Sequence, residues 1–254
     1  MHHAFTLIEL LVVIATIAIL AALLSPALSK AKATGRSVAC LSNLKQLQFG
    51  YLMYVDDNND SLPPNKALGD ANVAGSWVVG NAVRDTNSAN IEAGVIFRYV
   101  GSAGVYHCPG DKSKVRGSRA RTRSYSVDCW LDGDIDYGPW VAVKLSTITF
   151  PPPPAVFGFI DEHERSIQSG VYFIEQPRWI YSGSTEPWWS LAADRHNQGC
   201  NLSFLDGHVE HWRWKAPKPS YQLFTEAAPG GDLADHRRLQ EAVPHDVQRR
   251  LPGF

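Results

Sequence analysis

The chain has 254 residues, enough to bury an ordinary hydrophobic core in one large domain or two small ones. Its 24 basic and 25 acidic residues give a formal net charge of -1, which excludes recruitment of the whole molecule to nucleic acid or an anionic membrane surface by its overall charge. The 8 Trp, 9 Tyr and 10 Phe, beside 20 Gly and 16 Pro, favour short strands and many turns over a helical bundle.

An apolar segment lies near the N-terminus. Between residues 5 and 24, only Thr6, Glu9 and Thr16 are polar. Twenty helical residues span about 30 Å, which is the thickness of the hydrocarbon core of a bilayer. The basic residues follow this segment, whereas a cleavable secretory signal carries its positive charge before the apolar residues. The sequence therefore predicts that residues 5–29 form the transmembrane half of a helix.

Glu9 is unusual because an ionised carboxylate is costly inside an apolar membrane helix and indicates a function. Two interpretations are open. The side chain could extend to the lipid headgroups, or it could pair with a cation inside an assembly. The simplest such cation is the amino terminus that cleavage before Phe5 would create.

Beyond Pro26, where we expect a kink, the pattern becomes amphipathic. Apolar residues recur every three or four positions through residues 30–55, beside polar ones. This spacing predicts that one helix, from Phe5 to about Tyr54, leaves the membrane and packs one face on a domain.

The string AFTLIE, residues 4–9, closely resembles the cleavage and N-methylation motif of type IV prepilins and of the pseudopilins of type II secretion systems. This resemblance implies that residues 1–4 are a leader peptide, which a prepilin peptidase removes by cutting after Ala4. It further implies that Phe5 becomes the methylated N-terminus and that Glu9 is needed for assembly.

The rest of the chain is expected to be mainly β-structure. Short apolar and aromatic runs alternate with turn residues, so we predict an α+β fold in which the helix packs on an antiparallel sheet formed by residues 56–215. The resemblance to prepilins implies that this fold is pilin-like. Residues 216–254 are rich in Pro and charge. They are predicted to be a polar, peripheral appendage with a short helix from Asp232 to Ala242.

One hairpin is well defined by the sequence. Residues 200–205 and 208–212 each alternate between apolar and polar side chains, and Asp206-Gly207 joins them. Two alternating runs joined by Asp-Gly predict a β-hairpin with a type I′ turn.

The same region contains His196, nine further residues and then Asp206-Gly207. This spacing resembles the H-x9-D-G element of prepilin-like proteins from Planctomycetes, Verrucomicrobia and their relatives. We expect Asp206-Gly207 to form the turn, with His196 and Arg195 hydrogen-bonded back to it. Other segments similar to that group are residues 39–46, 107–111, 124–125 and 159–162.

The four cysteines, Cys40, Cys108, Cys129 and Cys200, include no C-x-x-C pair, which argues against a zinc knuckle or a thioredoxin-type site. An even number is typical of disulfides outside the cytoplasm, whereas buried reduced thiols are typical of a cytosolic domain. The N-terminal segment favours disulfides. Four cysteines allow three connectivities. Since Cys40 and Cys108 lie in segments shared with the prepilin-like group, the resemblance makes bridges Cys40–Cys108 and Cys129–Cys200 the simplest of the three.

Asp56, Asn58 and Asp60 have the D-x-N-x-D spacing that opens a calcium loop. The glycine and the distant bidentate Glu are missing from their required positions. We therefore favour a solvated turn that ends the helix, with calcium as the alternative and no other cofactor or metal.

Histidine and acidic residues raise the alternative of a metal-dependent hydrolase. They are His196, Asp206, His208, His211 and residues 161–164. On a strand, His208 and Glu210 share one face while His211 lies on the other, so that strand cannot supply three zinc ligands. G-x-S-x-G, P-loop, H-E-x-x-H and G-x-G-x-x-G elements are lacking. We therefore predict that the chain is not an enzyme.

Six basic residues lie between residues 112 and 123, and Arg119, Arg121 and Arg123 would share one face of a strand. A DNA-binding patch usually interleaves aromatic side chains, so a solvated basic face is favoured and no nucleic-acid partner is expected. The aromatic pairs Trp188-Trp189 and Trp212-x-Trp214 allow sugar stacking, but aromatic residues of β-domains usually form the core.

These features predict a structural subunit held in the bacterial inner membrane by a single span. Prepilin peptidase would process it, and other pilin-like subunits would join it in a homo- or heteropolymer, either a type IV pilus-like or a type II secretion pseudopilus fibre. The globular domain would be periplasmic or extracellular. The alternatives are a membrane-anchored surface protein that binds glycan or DNA without polymerising, and a periplasmic metal-dependent hydrolase.

Overall fold

The structure is a computed structural model that describes residues 6–115, 117, 119–131, 141–177, 186–218 and 225–245. The predicted processing residues Ala4 and Phe5 lie outside these ranges. The helices are α1 (Leu7–Asp57), α2 (Ala89–Glu92), α3 (Phe97–Val100) and α4 (Gly231–Gln240). The strands are β1 (Ala67–Leu68), β2 (Ala71–Asn72), β3 (Lys114–Val115), β4 (Arg119–Ala120), β5 (Tyr125–Asp128), β6 (Phe157–Asp161), β7 (Val171–Tyr172), β8 (Pro187–Trp188), β9 (Gly199–Phe204), β10 (Val209–Arg213) and β11 (Thr225–Glu226).

The long helix α1 lies close to its predicted bounds and continues through Pro26. It begins with a capping box: the Thr6 hydroxyl accepts a hydrogen bond from the backbone N–H of Glu9, and the Glu9 carboxylate accepts one from the backbone N–H of Thr6. The first part of α1 is exposed, and it is long and apolar enough to cross a membrane.

The second part of α1 packs on the rest of the chain, as its amphipathic pattern predicts. Its fully buried apolar side chains are spaced three or four residues apart, at Cys40, Leu44, Leu47 and Tyr51. This face contacts β9, β6 and α3. The fold is therefore α+β, with one helix that is exposed at its start and buried near its end.

The main sheet has five strands in the order β10-β9-β6-β5-β7. Three neighbouring pairs are antiparallel, but β5 and β7 are parallel, with Val127 opposite Val171. The sheet is thus mixed, and the prediction of an antiparallel sheet is wrong at this edge. The chain leaving β6 crosses to the far side of β5 and returns in the direction of β5.

The hairpin β9–β10 is confirmed, but its turn differs from the predicted type I′. A type I′ turn needs positive φ at both central residues. Only Gly207 is in the left-handed region, with φ 94°, and Asp206 is not. The N–H of Gly207 donates to the Phe204 carbonyl at 2.9 Å, and the N–H of Phe204 donates to the His208 carbonyl at 2.9 Å. This is a three-residue loop with glycine at its left-handed position.

Two hydrophobic clusters flank the sheet. The first joins α1 to the region around Trp77, and the second includes residues from α4. In the second cluster, Leu239 and Val243 are fully buried. The description of residues 216–254 as a peripheral appendage is therefore wrong for the part that the structure describes, because this part closes the second core.

The tryptophans of the two aromatic pairs are mainly core residues. Trp188, Trp212 and Trp214 are buried in the second cluster, whereas Trp189 is 41% exposed. The Trp214 indole N–H donates to the Ala193 carbonyl at 2.8 Å. These contacts leave the three buried rings without a face for sugar stacking.

The predicted solvated basic face is wrong for Arg121 and Arg123, whereas Lys112, Lys114 and Arg119 are exposed. Arg121 and Arg123 are buried, with exposed fractions of 5% and 2%, because β4 is only two residues long and the chain then turns inward. The guanidinium group of Arg123 donates to the carbonyls of Tyr125 and Gln168 at 2.8 and 3.0 Å.

Candidate functional site

Four buried side chains from distant parts of the chain meet under the second part of α1. They are Cys40, Cys108, Asp161 and His196, and each offers one atom able to bind a metal. These four atoms all lie within 4.8 Å of one another. The exposed fraction is 0% for the first three side chains and 1% for His196.

Each residue is held by a separate element. Cys40 lies on the buried face of α1, and Asp161 ends β6. Cys108 begins a turn that the Asp111 N–H closes by donating to the Cys108 carbonyl at 2.9 Å. His196 lies in the turn before β9, where its N–H donates to the Gly199 carbonyl at 3.2 Å. A helix, two loops and one strand end therefore converge.

The ring of His196 is central to this cluster. Its Nε2 atom lies 3.2 Å from Sγ of Cys108 and 3.3 Å from Oδ2 of Asp161. The Cys40 thiol lies 3.9 Å from the same Oδ2 atom. Gly110 passes close to the ring, since a Cβ atom there would lie 2.9 Å from Cε1 of His196.

Both sulfur atoms receive further hydrogen bonds. The Tyr125 hydroxyl donates to Sγ of Cys40 at 3.2 Å, and the Gly110 N–H donates to Sγ of Cys108 at 3.3 Å. The hydrogen bond to Cys40 and burial raise the pKa of the Cys108 thiol. Burial lowers the pKa of His196, but the neighbouring Asp161 and Cys108 outweigh it and raise this pKa to about 9.

Arg195 joins the cluster to a second buried acid. Its Nη1 atom lies 3.0 Å from Oδ2 of Asp111 and 3.6 Å from Oδ1 of Asp161. The Ser124 hydroxyl donates to Asp111 at 2.8 Å. Burial raises the pKa of Asp111, but Arg195 and the hydrogen bonds from Ser113 and Ser124 hold it at about 2. Asp111 is therefore a carboxylate that fixes the guanidinium over Asp161.

The arrangement offers two thiols, one imidazole and one carboxylate to a single point. A neighbouring cleft is lined by Ala33, Arg36, Gly110, Asp111, Lys112, Ser113, Glu164 and Arg195. None of the four cluster residues is among these described lining residues. The cluster is thus enclosed, which suits the binding of an ion better than the attack of a thiol on a substrate.

The H-x9-D-G element is divided between two places. His196 lies before β9 and Asp206 follows it, and six strand residues extend about 20 Å. The Asp206 carboxylate accepts a hydrogen bond from the His208 N–H at 3.1 Å. The expectation that His196 and Arg195 bond back to this turn is therefore wrong, because the intervening strand separates them.

Of the histidines considered as hydrolase ligands, His196 belongs to the cluster, whereas His208 and His211 do not. Nδ1 of His208 lies 2.5 Å from Oδ1 of Asp206, and Nδ1 of His211 lies 2.9 Å from Oδ1 of Asn201. These contacts hold the two rings against the hairpin.

The predicted disulfides are not formed. All four cysteines are free. Cys40 and Cys108 do come together, but each faces the cluster's other side chains instead of a bonded sulfur. The Cys129 thiol contacts the Ile174 carbonyl at 3.6 Å, and Cys200 is buried in β9 within the second core.

Two of the three calcium candidates, Asn58 and Asp60, form other contacts. Asp60 accepts hydrogen bonds from the backbone N–H and the hydroxyl of Ser146, and the Asn58 amide donates to the Tyr54 carbonyl at 2.7 Å. Asp56 is exposed. Asp56 lies in the last turn of α1, Asn58 caps the helix, and Asp60 binds Ser146 of a later segment.

The cluster itself was missed by reasoning from the sequence. A signal was present: Cys40, Cys108, Asp161 and His196 all lie in segments that resemble the prepilin-like group. Their separation concealed the relationship, since Cys40 and Asp161 are 121 positions apart and Cys108 and His196 are 88 apart.

Comparisons of the chain with models of protein families, with curated proteins and with solved structures find no match.

Proposed function

We propose that the chain is a pilin-like structural subunit, anchored in the inner membrane, cut after Ala4 by a prepilin peptidase and assembled into a pilus-like or pseudopilus fibre. The observation that carries this proposal is the change along α1. Its first part is apolar and exposed, whereas its second part is buried against the sheet from Cys40 onward. Such a helix can lie in a bilayer and present a folded domain outside it.

Glu9 supports the assembly step. It is the sole acidic residue between Leu7 and Val55. An ionised carboxylate in hydrocarbon needs a cation nearby. Cleavage before Phe5 would create an amino group four positions before Glu9 on the same helix. In a fibre, a neighbouring subunit shifted along the helix axis would present its own amino group to Glu9.

The outer face of α1 supports contact between subunits. Beyond the predicted membrane segment, Val38, Phe49 and Met53 are 60%, 47% and 51% exposed. Their spacing of eleven and four residues places them along one side of the helix. Ser42 and Lys45 are also exposed on this side, between Val38 and Phe49. The apolar pair Phe49 and Met53, one turn apart, is therefore the contact that this side offers to another subunit.

A substitution at Glu9 tests assembly separately from membrane insertion. In cells with the peptidase and the fibre machinery, wild type is expected in sheared fibres and in cross-linked multimers. Glu9→Val should remain in the inner membrane at a normal level, without either product. Asp56→Val is the matched control, because it removes an exposed carboxylate at the other end of the same helix. Normal fibres from Glu9→Val would contradict the proposal.

A further inference from the structure

We propose that Cys40, Cys108, Asp161 and His196 bind one zinc ion, which links the second part of α1 to the sheet. This site is independent of whether the chain forms a fibre. It would be structural, since the protein supplies all four ligands and leaves no position for a substrate.

The distances fit a tetrahedral zinc site. Zinc–sulfur bonds of about 2.3 Å and zinc–nitrogen or zinc–oxygen bonds of about 2.0–2.2 Å place neighbouring ligand atoms about 3.3–3.8 Å apart. The observed separations are 3.2 Å between Cys108 and His196, 3.3 Å between His196 and Asp161, and 3.9 Å between Cys40 and Asp161. The other three separations among the four atoms are at most 4.8 Å, so binding would draw the ligand atoms together by up to about 1 Å.

The ligand types also favour zinc. Thiolate and imidazole ligands in a tetrahedral arrangement suit zinc, whereas calcium and magnesium take oxygen ligands. Furthermore, Nε2 of His196 faces Cys108 and Asp161 together. A ring nitrogen carries at most one proton, so it cannot donate fully to both neighbours. A cation between the three atoms would satisfy all of them at once.

Supporting groups surround the ligands. The Tyr125 hydroxyl donates to Cys40 and the Gly110 N–H donates to Cys108, so each thiolate has a donor. Arg195 lies 3.6 Å from Oδ1 of Asp161, the oxygen that faces away from His196. Metal ligands in proteins are oriented and stabilised by such outer hydrogen bonds and ion pairs.

The same two sulfur atoms allow one rival arrangement. A Cys40–Cys108 disulfide would remove two of the four ligands, so one chain cannot hold both the bridge and the ion. Zinc content and thiol content therefore decide between them in a single sample.

The test uses the full chain, purified from membranes in mild detergent without added metal. Elemental analysis is expected to give about one zinc per chain. Cys108→Ser should lose most of this zinc, because it removes one of the two thiolate ligands. Cys129→Ser is the matched control and should keep it, because Cys129 lies outside the cluster and contacts Ile174.

A second measurement uses the wild-type protein, so that the test does not depend on the folding of Cys108→Ser. X-ray absorption at the zinc edge should show two sulfur and two nitrogen or oxygen neighbours. Metal-free protein with a Cys40–Cys108 bridge by mass spectrometry would overturn the proposal. Zinc without sulfur neighbours, or full zinc content in Cys108→Ser, would overturn it as well.

Discussion

Lys218 and Asp232 form a buried ion pair, with 2.6 Å between Nζ and Oδ1. Asp235 completes the group at 3.0 Å from the same Nζ atom. The three side chains are only 2%, 4% and 2% exposed. Asp232 and Asp235 both belong to α4. The contact therefore joins Lys218, in the segment after β10, to α4, which packs in the second hydrophobic cluster.

Lys218→Ala should destabilise the domain strongly. It leaves two buried carboxylates without their ammonium group, and the loss of one partner of a buried pair costs roughly 3–5 kcal/mol. Denaturant unfolding of the full chain in detergent would measure it. Arg237→Ala is the control, because its pair with Glu186 is exposed on the arginine side, and its effect should be much smaller. Equal effects of the two substitutions would argue against a core role for this segment.

Arg123→Ala should also destabilise the fold, whereas Arg119→Ala should have little effect. Arg123 donates to the carbonyls of Tyr125 and Gln168 and lies over the Trp77 ring at 5.7 Å. A hydrogen bond from a charged donor contributes about 1.5–3 kcal/mol, so at least this loss is expected. The midpoint temperatures of thermal unfolding of the two variants should be compared. Similar midpoints would contradict a structural role for Arg123 and would favour the predicted solvated basic face.

Gly207→Ala should lower the free energy of unfolding more than Gly69→Ala does. Both glycines are in the left-handed region, with φ 94° and 63°, where an L-residue costs roughly 1–2 kcal/mol. A Cβ atom at Gly207 would also lie 2.9 Å from Cε1 of Phe49, whereas nothing lies within 4 Å of one at Gly69. Unfolding free energies of both variants test this, and a harmless Gly207→Ala would show that the glycine is not needed for packing on α1.

His236 should make stability depend on pH. Burial lowers the pKa of His236, and the nearby Lys218 ammonium lowers it further. The Pro187 carbonyl and the Glu186 and Asp232 carboxylates raise this pKa, but the net shift is downward. The unfolded chain, with a histidine pKa of about 6.5, therefore binds more protons below that pH than the folded chain does. The contribution of His236 is complete above about pH 6.5 and is lost as the pH falls towards its lower folded pKa.

His236→Gln removes this titration and can retain the contact with the Pro187 carbonyl. The decrease in unfolding free energy between pH 7 and pH 5.5 should be smaller in the variant than in wild type. Identical pH profiles would show that His236 is not kept neutral in the folded chain.

Local signals in the sequence were sufficient for α1 and for the hairpin. A nearly uniform apolar stretch is followed by apolar residues spaced three or four apart from Val38 to Val55, and the turn residues from Asp56 onward end the helix. Alternation on both sides of Asp206-Gly207 determined which strands pair. The turn type was wrong because Gly207 alone supplies the left-handed residue.

Contacts between segments far apart in the sequence could not be predicted from local sequence patterns. Arg121 looked like a surface residue, yet it donates to the Ile167 carbonyl, 46 positions away. The four cluster residues come from a helix, two loops and one strand end, so only the packed fold brings them together. Burial of α4 likewise depends on a partner, Lys218, whose charge suggested solvent exposure.

Intact mass and N-terminal sequencing of the full chain from bacterial membranes, with and without active prepilin peptidase, test the central claim most directly. The account predicts a chain that begins at Phe5 and carries one extra methyl group only when the peptidase is active. Retention of residues 1–4 in both samples would contradict it and would leave α1 as an ordinary membrane anchor.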